Sequence, residues 1–498
     1  MKQIWMDVLI ITLIGIAMFA KVSSAYFCGF DDFNETHRAL FEDSQNRTLI
    51  FTTTHFGSTK YRPLNRLTTY LCWMIGRGSA LPFRIRNLLF HLVCVLGVYG
   101  LALLWTRERS IALVAGLFFC VEPSANQTVV AAIFTNTMAY AFLLVSLLLF
   151  MLWLQTRRSG WLALSFFSVL LGTFCYEPVI VVIPMMAGYL ALEAYRGRST
   201  PHKQLAIYVG GSAGVILAFA FIRHLVVRGV NPQVSLRAMV NNAILYAGAL
   251  ISPVDVVTAN QLFGSPLPPQ LHVGTRVLVL LLAVLVALVL ALVAYLNTTS
   301  VRAGIRRLDK ALVIYLLLSI PLALSTFLLF TPHASETYLY LPAAFYAILL
   351  GLLLRALLPS KPLFRSTVVL ILLCFGIGSW IRNRRVAECG QIAHTILTAL
   401  PVSQWQSGNW NIMLSNVSAP PPRYGIYNYE GLSTIDPADP ETGNGAQSAL
   451  QIVTGNPQLK ADVVDPLKMS SSCLKPYRCF EVSLNGSVEE VTSRLAEK

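Results

Sequence analysis

Charge is scarce in this sequence: Asp, Glu, Lys and Arg together make up 12% of 498 residues, and only 24 of them are acidic. A soluble globular chain carries roughly a quarter of its residues as charged ones, so a water-covered globule is excluded. Metal signatures are missing as well, since no Cys-x-x-Cys pair and no His-rich spacing supports a zinc site. There is no 34-residue helical repeat, which removes a stacked-helix scaffold for peptide recognition. The apolar runs are almost free of charge at their middles. A proton-coupled transporter would place ionisable groups there, so that class is disfavoured.

What is present is apolar. Hydrophobic residues reach 55% and the mean hydropathy is +0.60, the signature of a polytopic membrane protein. Eleven spans are expected, near residues 4–26, 86–105, 110–122, 134–155, 161–175, 178–195, 204–222, 274–297, 311–330, 338–357 and 365–381. The first is read as a retained helix, because Ser23-Ser24-Ala25 is a weak cleavage site. The net charge of +14 would point to nucleic acid in a soluble protein. Here the basic residues fall in short loops (Lys2, Arg107 and Arg109, Arg157 and Arg158, Arg196, Arg198 and Lys203, Arg302 to Lys310, Arg355 to Arg365), so they orient the chain with its N-terminus inside, and no nucleic-acid partner is expected.

This topology puts a first loop of residues 27–85, a turn at Val121-Glu122-Pro123, a loop of residues 223–273 and the tail from residue 382 on the outer face. Apolar stretches in the first loop, such as Leu67 to Ile75, predict short helices on the membrane surface. The tail changes character. Asn411 to Leu414 and Cys479 to Leu484 read as strands, and Gly445 to Val453 as a helix, with prolines at 420–422, 437 and 440 marking loops. The expected fold is therefore an all-α polytopic membrane protein, residues 1–381, with a small α/β extramembrane domain, residues 382–498. Cys473 and Cys479 could pair if that compartment is oxidising. Six Asn-x-Ser/Thr matches, Asn34, Asn46 and Asn485 among them, are short enough to arise by chance.

Polar residues collect at the outer face. Asp31, Asp32 and Glu35 follow the first span; Arg62 and Arg66 lie in the first loop; Arg84 and Arg86 open the second span. Glu122, Glu177, Arg223, His224, His333 and Glu336 close the others. Loops hold polar residues because loops are wet. Even so, carboxylates beside guanidinium groups at a membrane surface combine a base with phosphate donors, which suits a reaction on a lipid-linked phosphosugar.

The stretch Phe30-Asp31-Asp32 through His55-Phe56-Gly57 to Tyr61-Arg62-Pro63-Leu64, then Pro82-Phe83-Arg84-Ile85-Arg86-Asn87-Leu88-Leu89-Phe90-His91, resembles the GT-C glycosyltransferases of the transmembrane and TPR-containing O-mannosyltransferase type and their bacterial relatives. Glu336-Thr337-Tyr338-Leu339-Tyr340-Leu341-Pro342 and Arg382-Asn383 with Glu388 are similar to further family segments. The chain departs from the pattern at three places: Glu122-Pro123 stands where His-Pro is usual, Tyr176-Glu177 where Lys-Glu is, and Thr337 where the tyrosine-rich box has Arg. Each departure removes a positive group from the outer face, so mannose is not implied as the sugar.

The resemblance implies an inverting transferase with a polyprenyl-phosphate-linked sugar donor and a glycan, protein or lipid acceptor, in a bacterial inner membrane with its site facing the periplasm. It implies Asp31 as the base that takes the acceptor's proton, Asp32 as its neighbour and hydrogen-bonding support, and Arg62 as the first candidate for phosphate, with a salt bridge to Asp32 or Glu35 as the alternative use. Arg66, Glu122, Glu177, Arg223, His333 and Glu336 are candidates for binding the donor's phosphate or sugar. Asn87 and His91, four apart on one helix face, are expected to pack. Tyr338 and Tyr340 are expected in an interfacial aromatic belt. No cofactor is required, although the acidic cluster could take a divalent cation. A non-enzymatic lipid-linked glycan flippase is the alternative reading.

Overall fold

The computed structural model describes residues 2–27, 30–54, 60–197, 202–226, 236–256, 259, 273–296, 305–306, 308–328, 336–358, 360–415, 445–464, 477–482 and 487–493. Its helices are α1 (Lys2–Ser23), α2 (Phe30–Arg38), α3 (Leu49–Thr52), α4 (Pro63–Gly76), α5 (Leu81–Thr106), α6 (Arg109–Val121), α7 (Pro123–Val130) and α8 (Asn136–Thr156). There follow α9 (Ser159–Cys175), α10 (Val182–Tyr195), α11 (His202–Val226), α12 (Leu236–Ile251), α13 (Val273–Leu296), α14 (Lys310–Leu328), α15 (Tyr340–Leu357) and α16 (Lys361–Ala399). Each expected span coincides with one of them. Among the described residues eight helices are long and apolar enough to cross a membrane, and α6 with α7, bent by 57°, make a ninth if counted as one span.

Local sequence sets the helix ends. Pro82 sits in the first turn of α5, where its missing N–H costs nothing. Arg107 and Arg157 close α5 and α8 in the left-handed conformation, both at φ 57°, and their N–H groups return to the carbonyls of Leu103 and Trp153. The chain therefore reverses within two residues, giving the tight α5–α6 and α8–α9 hairpins. Burial then orders the bundle. The apolar window of residues 336–357 is 83% buried, against 22% for α1 and for α11, so α15 lies at the centre and the other two on the rim.

One buried charge pins the basic end. Asp7 of α1 is fully buried and receives both Arg109 Nε and Nη2 at 2.6 Å and the Tyr99 hydroxyl at 3.0 Å. Removing either partner would leave an uncompensated buried charge, so the contact registers α1 against α5 and α6.

The tail folds as expected. β1 (Asn411–Ser415), β2 (Lys460–Val464), β3 (Tyr477–Val482) and β4 (Val488–Glu490) form one sheet in the order β2-β1-β3-β4, and α17 (Gly445–Thr454) lies in the crossover from β1 to β2. β1 runs parallel to β2 and β3, with Ile412 opposite Ala461 and Arg478, and β3 runs antiparallel to β4. Cys479 is disulfide-bonded, while Cys473 and Asn485 lie outside the described residues.

Two features differ from the expected division at residues 381 and 382. First, α16 runs unbroken through that point for 39 residues. Arg382 to Arg385 end the apolar run, but polarity ends a span without ending a helix. Second, the acid-bearing loop and the tail share one apolar core, in which Phe27, Phe33 and Phe83 join Trp405, Ile412, Leu450 and Phe480.

Candidate functional site at the acidic-helix end of the bundle

α2 carries the acidic pair. Its sequence FDDFNETHR places Phe33 in the shared core, and Asp32, Asn34, Glu35 and Thr36 are all buried with it. Asp32 is 2% exposed; its Oδ1 accepts the Ile133 amide at 3.1 Å and its Oδ2 lies 3.8 Å from Arg84 Nη2. Arg84 Nη2 also donates to the Tyr26 carbonyl at 3.0 Å. Tyr26 is in turn pressed against Gly390 of α16, where a Cβ would come within 2.8 Å of the Tyr26 oxygen. Only glycine permits that approach, so the long helix, Arg84 and Asp32 form one chain of contacts. Asp31 occupies the preceding position of α2, and its side chain lies outside the described residues.

The short helix α7 organises the rest. Glu122 caps it: Oε2 accepts the Ser124 hydroxyl at 2.6 Å and the Ala125 amide at 2.8 Å, and Pro123 follows at the first helical position. Asn126 donates to Asn383 at 2.9 Å, and Thr128 to the Thr337 carbonyl at 3.3 Å. Past its C-terminus, Arg86 donates to the Ala132 carbonyl at 2.9 Å and Asn87 to the Ala131 carbonyl at 2.6 Å. Asn87 therefore packs as expected and holds a loop. His91, on the same face, meets the Tyr340 hydroxyl at 2.7 Å.

A buried cluster lies beside α7. Arg382 Nη1 pairs with Asp255 at 2.5 Å and with Glu336 at 3.4 Å, all three side chains being almost inaccessible, and Glu336 also accepts the Val256 amide. Sequence reasoning left Asp255 out of the site. It was visible as a lone acid in Ser252-Pro253-Val254-Asp255, but nothing local indicated that Arg382, 127 positions on, would meet it.

Arg62 and Glu177 form the third group. Arg62 Nε donates to Glu177 Oε2 at 2.7 Å, the Tyr61 amide donates to Oε1 at 3.0 Å, and the guanidinium lies 4.5 Å over the Tyr176 ring. Its salt-bridge partner is thus Glu177, not the expected Asp32 or Glu35. Burial alone would lower the Arg62 pKa, but Glu177 outweighs it and the pKa is raised, so the charge is held. Its Nη1 and Nη2 have no hydrogen-bond partner among the described residues. Tyr176 continues a row of rings, stacked on Phe327 at 6.0 Å, which stacks on Tyr338 at 4.2 Å.

The expected aromatic belt needs correcting for Tyr340. It is fully buried, stacks on Tyr140 at 5.4 Å and bonds His91, because the turn before α15 carries it into the bundle instead of to the rim. Arg66 turns towards its own loop, reaching Asp43 at 2.5 Å, Glu42 at 3.2 Å, the Leu49 carbonyl at 2.8 Å and Thr53. Arg223 sits half-buried in the last turn of α11. His333, like the segment His55-Phe56-Gly57, lies outside the described residues. Among the described residues no three His, Cys, Asp or Glu side chains are grouped to hold a metal ion.

Residues 63–224, from the start of α4 to the end of α11, match a family model described as dolichyl-phosphate-mannose-protein mannosyltransferase. The matched stretch is about a third of the chain and lies wholly within its helical part. Arg84, Arg86, Glu122 and Glu177 lie inside the matched stretch, while Asp31, Asp32 and Arg62 precede it. Among solved structures, the chain is similar to ArnT from Cupriavidus metallidurans bound to undecaprenyl phosphate, at 14% identity and a TM-score of 0.39. It is also similar to the apo state of that protein, at 15% and 0.41; both comparisons cover 97% of this chain and 93% of the other. No curated protein matches the chain. The helical part is multi-pass, and the α/β tail packs on the loop that precedes the matched stretch.

Proposed function

We propose that this protein transfers a sugar, with inversion, from a polyprenyl-phosphate donor to an acceptor at the outer face of the membrane. The observation that carries the reading is Arg62. A guanidinium braced by Glu177 through Nε and by the Tyr176 ring beneath it cannot swing, while its two terminal nitrogens remain free to grip two oxygens of a phosphate. Glu177 and Tyr176 act as positioning residues. The half-buried Tyr338, at the end of the ring row, gives a sugar or an isoprenoid chain an apolar wall.

The acidic pair divides its work by position. Asp32 already spends one oxygen on the Ile133 amide and faces Arg84 with the other, so it holds the loop. Asp31, about 100° round the helix axis from it, is the group assigned to the acceptor. In the step, the acceptor oxygen attacks the anomeric carbon as its proton passes to Asp31. The bond from that carbon to the phosphate oxygen breaks, and its electron pair leaves with the lipid phosphate, neutralised by Arg62. General base catalysis of this kind contributes roughly 100- to 10,000-fold.

A cytoplasmic N-terminus places this end of the bundle and the tail outside, in the periplasm of a bacterial inner membrane. The disulfide-bonded Cys479 supports an oxidising compartment for the tail. The test is the protein in vesicles with a labelled polyprenyl-phosphate sugar: Asp31→Asn should retain the donor but stop its conversion to free lipid phosphate. A donor that crosses the bilayer unconsumed in both forms would make the protein a flippase. A reporter fused after Lys498 should report the outer compartment, and a cytoplasmic signal there would overturn the single-site picture.

A further inference from the structure

The far end of the bundle holds a cavity, unrelated to the acidic loop. α5 carries Arg84 near one end and Arg107 at the other, about 35 Å apart at 1.5 Å per residue. The cavity at the Arg107 end encloses about 530 Å³, within the range of small-molecule sites. Leu104, Met151 and Leu154 give its wall apolar surface, and Arg107, Arg157 and Arg196 supply three guanidinium groups.

Two of the three arginines are available. Arg196 bridges both carboxylates of the wall, Glu193 at 2.7 Å and Asp309, and the three arginines against these two acids leave the wall one positive charge in excess. Arg157 spends only Nη1, on the Gln204 side chain at 2.8 Å. The Arg107 guanidinium has no partner among the described residues. Both Arg107 and Arg157 sit in the left-handed conformation, where a non-glycine residue is held at a cost, and Thr-Arg precedes the reversal in each hairpin. The same turn, used twice, delivers two cations to one cavity.

An independent feature is Trp105. It lines the cavity, is 8% exposed, and stacks on Tyr189 at 5.9 Å, yet its indole N–H finds no acceptor. A buried donor left unmatched is costly, so an acceptor belongs beside it. The geometry points to a binding site here for a phosphate group, carried by an anionic lipid whose headgroup meets Arg107, Arg157 and the Trp105 N–H and whose chains lie along Leu104, Met151 and Leu154. Basic pockets between spans at the cytoplasmic surface are suited to such headgroups. The site stands whatever the outer end does.

The experiment is native mass spectrometry of the full chain released from detergent after exposure to phosphatidylglycerol or phosphatidylcholine, with thermal unfolding in inorganic phosphate alongside. The wild type should retain phosphatidylglycerol preferentially. Arg107→Gly and Arg157→Gly should each cost about fivefold in that retention. Glycine suits the left-handed backbone, so these variants should unfold no earlier than wild type, which separates lost binding from lost structure. Trp105→Phe should also weaken retention, whereas Arg158→Ala, next in sequence but off the wall, should not. Stabilisation by inorganic phosphate without a lipid preference would assign the site to free phosphate. Equal retention of both lipids with no effect of phosphate, or an Arg158→Ala loss matching that of Arg157→Gly, would overturn the proposal.

Discussion

The two ends of the bundle use charge in opposite ways. At the basic end, Arg107 and Arg157 sit exposed in two-residue reversals, while Arg109 with the buried Asp7 and Arg196 with Asp309 make long-range pairs. At the outer end the charged groups are buried and meet partners far along the chain: Asp32 with Ile133, Arg62 with Glu177, Arg382 with Asp255. Exposed charge orients a membrane chain cheaply. Buried charge must be matched across the fold, and the site is where that matching is concentrated.

The comparison can be broken most severely at Arg382. Replacing it with Ala leaves Asp255 and Glu336 facing each other in a dry cluster, and should cost about 3–5 kcal/mol in thermal unfolding. Arg158→Ala at the other end should leave the melting temperature unchanged. If the two variants melt alike, burial is not what separates the ends.

Catalysis gives the next largest effect. Asp31→Asn should reduce transfer on the order of 100-fold or more with the donor still bound, and Asp32→Asn should cost less, because the amide oxygen can still accept the Ile133 N–H. Near-full transfer by both variants would move the base to Glu122 or Glu177. Phosphate grip follows: Arg62→Ala should weaken donor use roughly tenfold to a hundredfold, and Arg62→Lys less, since lysine keeps charge but loses the fork. Equal, mild effects from both would make Arg62 peripheral.

The smallest effect concerns the seam between α2 and the tail, where Ser448 donates to Asn34 at 2.6 Å and the His37 side chain meets Gln451. Ser448→Ala should cost about 1 kcal/mol. His37 has its pKa lowered, chiefly by burial and against the Gln451 hydrogen bond, so the folded chain keeps it neutral. Its contribution to stability is complete above the ordinary histidine value of 6.5 and declines as pH falls below it, since the unfolded chain then binds the proton first. His37→Gln should flatten that part of the stability profile.

Much of this was legible in the sequence, for identifiable reasons. Spans emerged because a bilayer imposes length and hydropathy together, and β1 and β3 of the tail because their apolar pattern is local, whereas β2 and β4 went unread. Partners did not. Arg62 offered Asp32 and Glu35 as near candidates, and the fold supplied Glu177, 115 residues on. Glu122 read as a candidate for binding the donor's phosphate or sugar, while Glu-Pro-Ser also spells a helix cap, a role that its Oε2 fills in the fold. Tyr340 read as a belt residue because tyrosine favours interfaces; only the packing of α15 on α5 and α8 reveals it as core. Asn34 matches the short glycosylation motif, and the fold buries it against Ser448.

The unbroken α16 has a consequence for how a substrate arrives. Thirty-nine residues of helix span about 58 Å, nearly twice a hydrocarbon core, and Asn383 and Gly390 sit along the part past the apolar run. Asn383 donates to the Met18 carbonyl at 2.6 Å and bonds Asn126, and Gly390 meets Tyr26, so the rod fixes the elevation of the acidic helix above the lipid. It acts as a ruler. Inserting one residue between Asn383 and Gly390 would raise the upper part by about 1.5 Å and turn it by about 100°, putting the Gly390–Tyr26 contact out of register with the Asn383–Met18 one while leaving every side chain of the site in the sequence. For the transfer proposed above, an acceptor would have to present its nucleophile at one set height over the bundle.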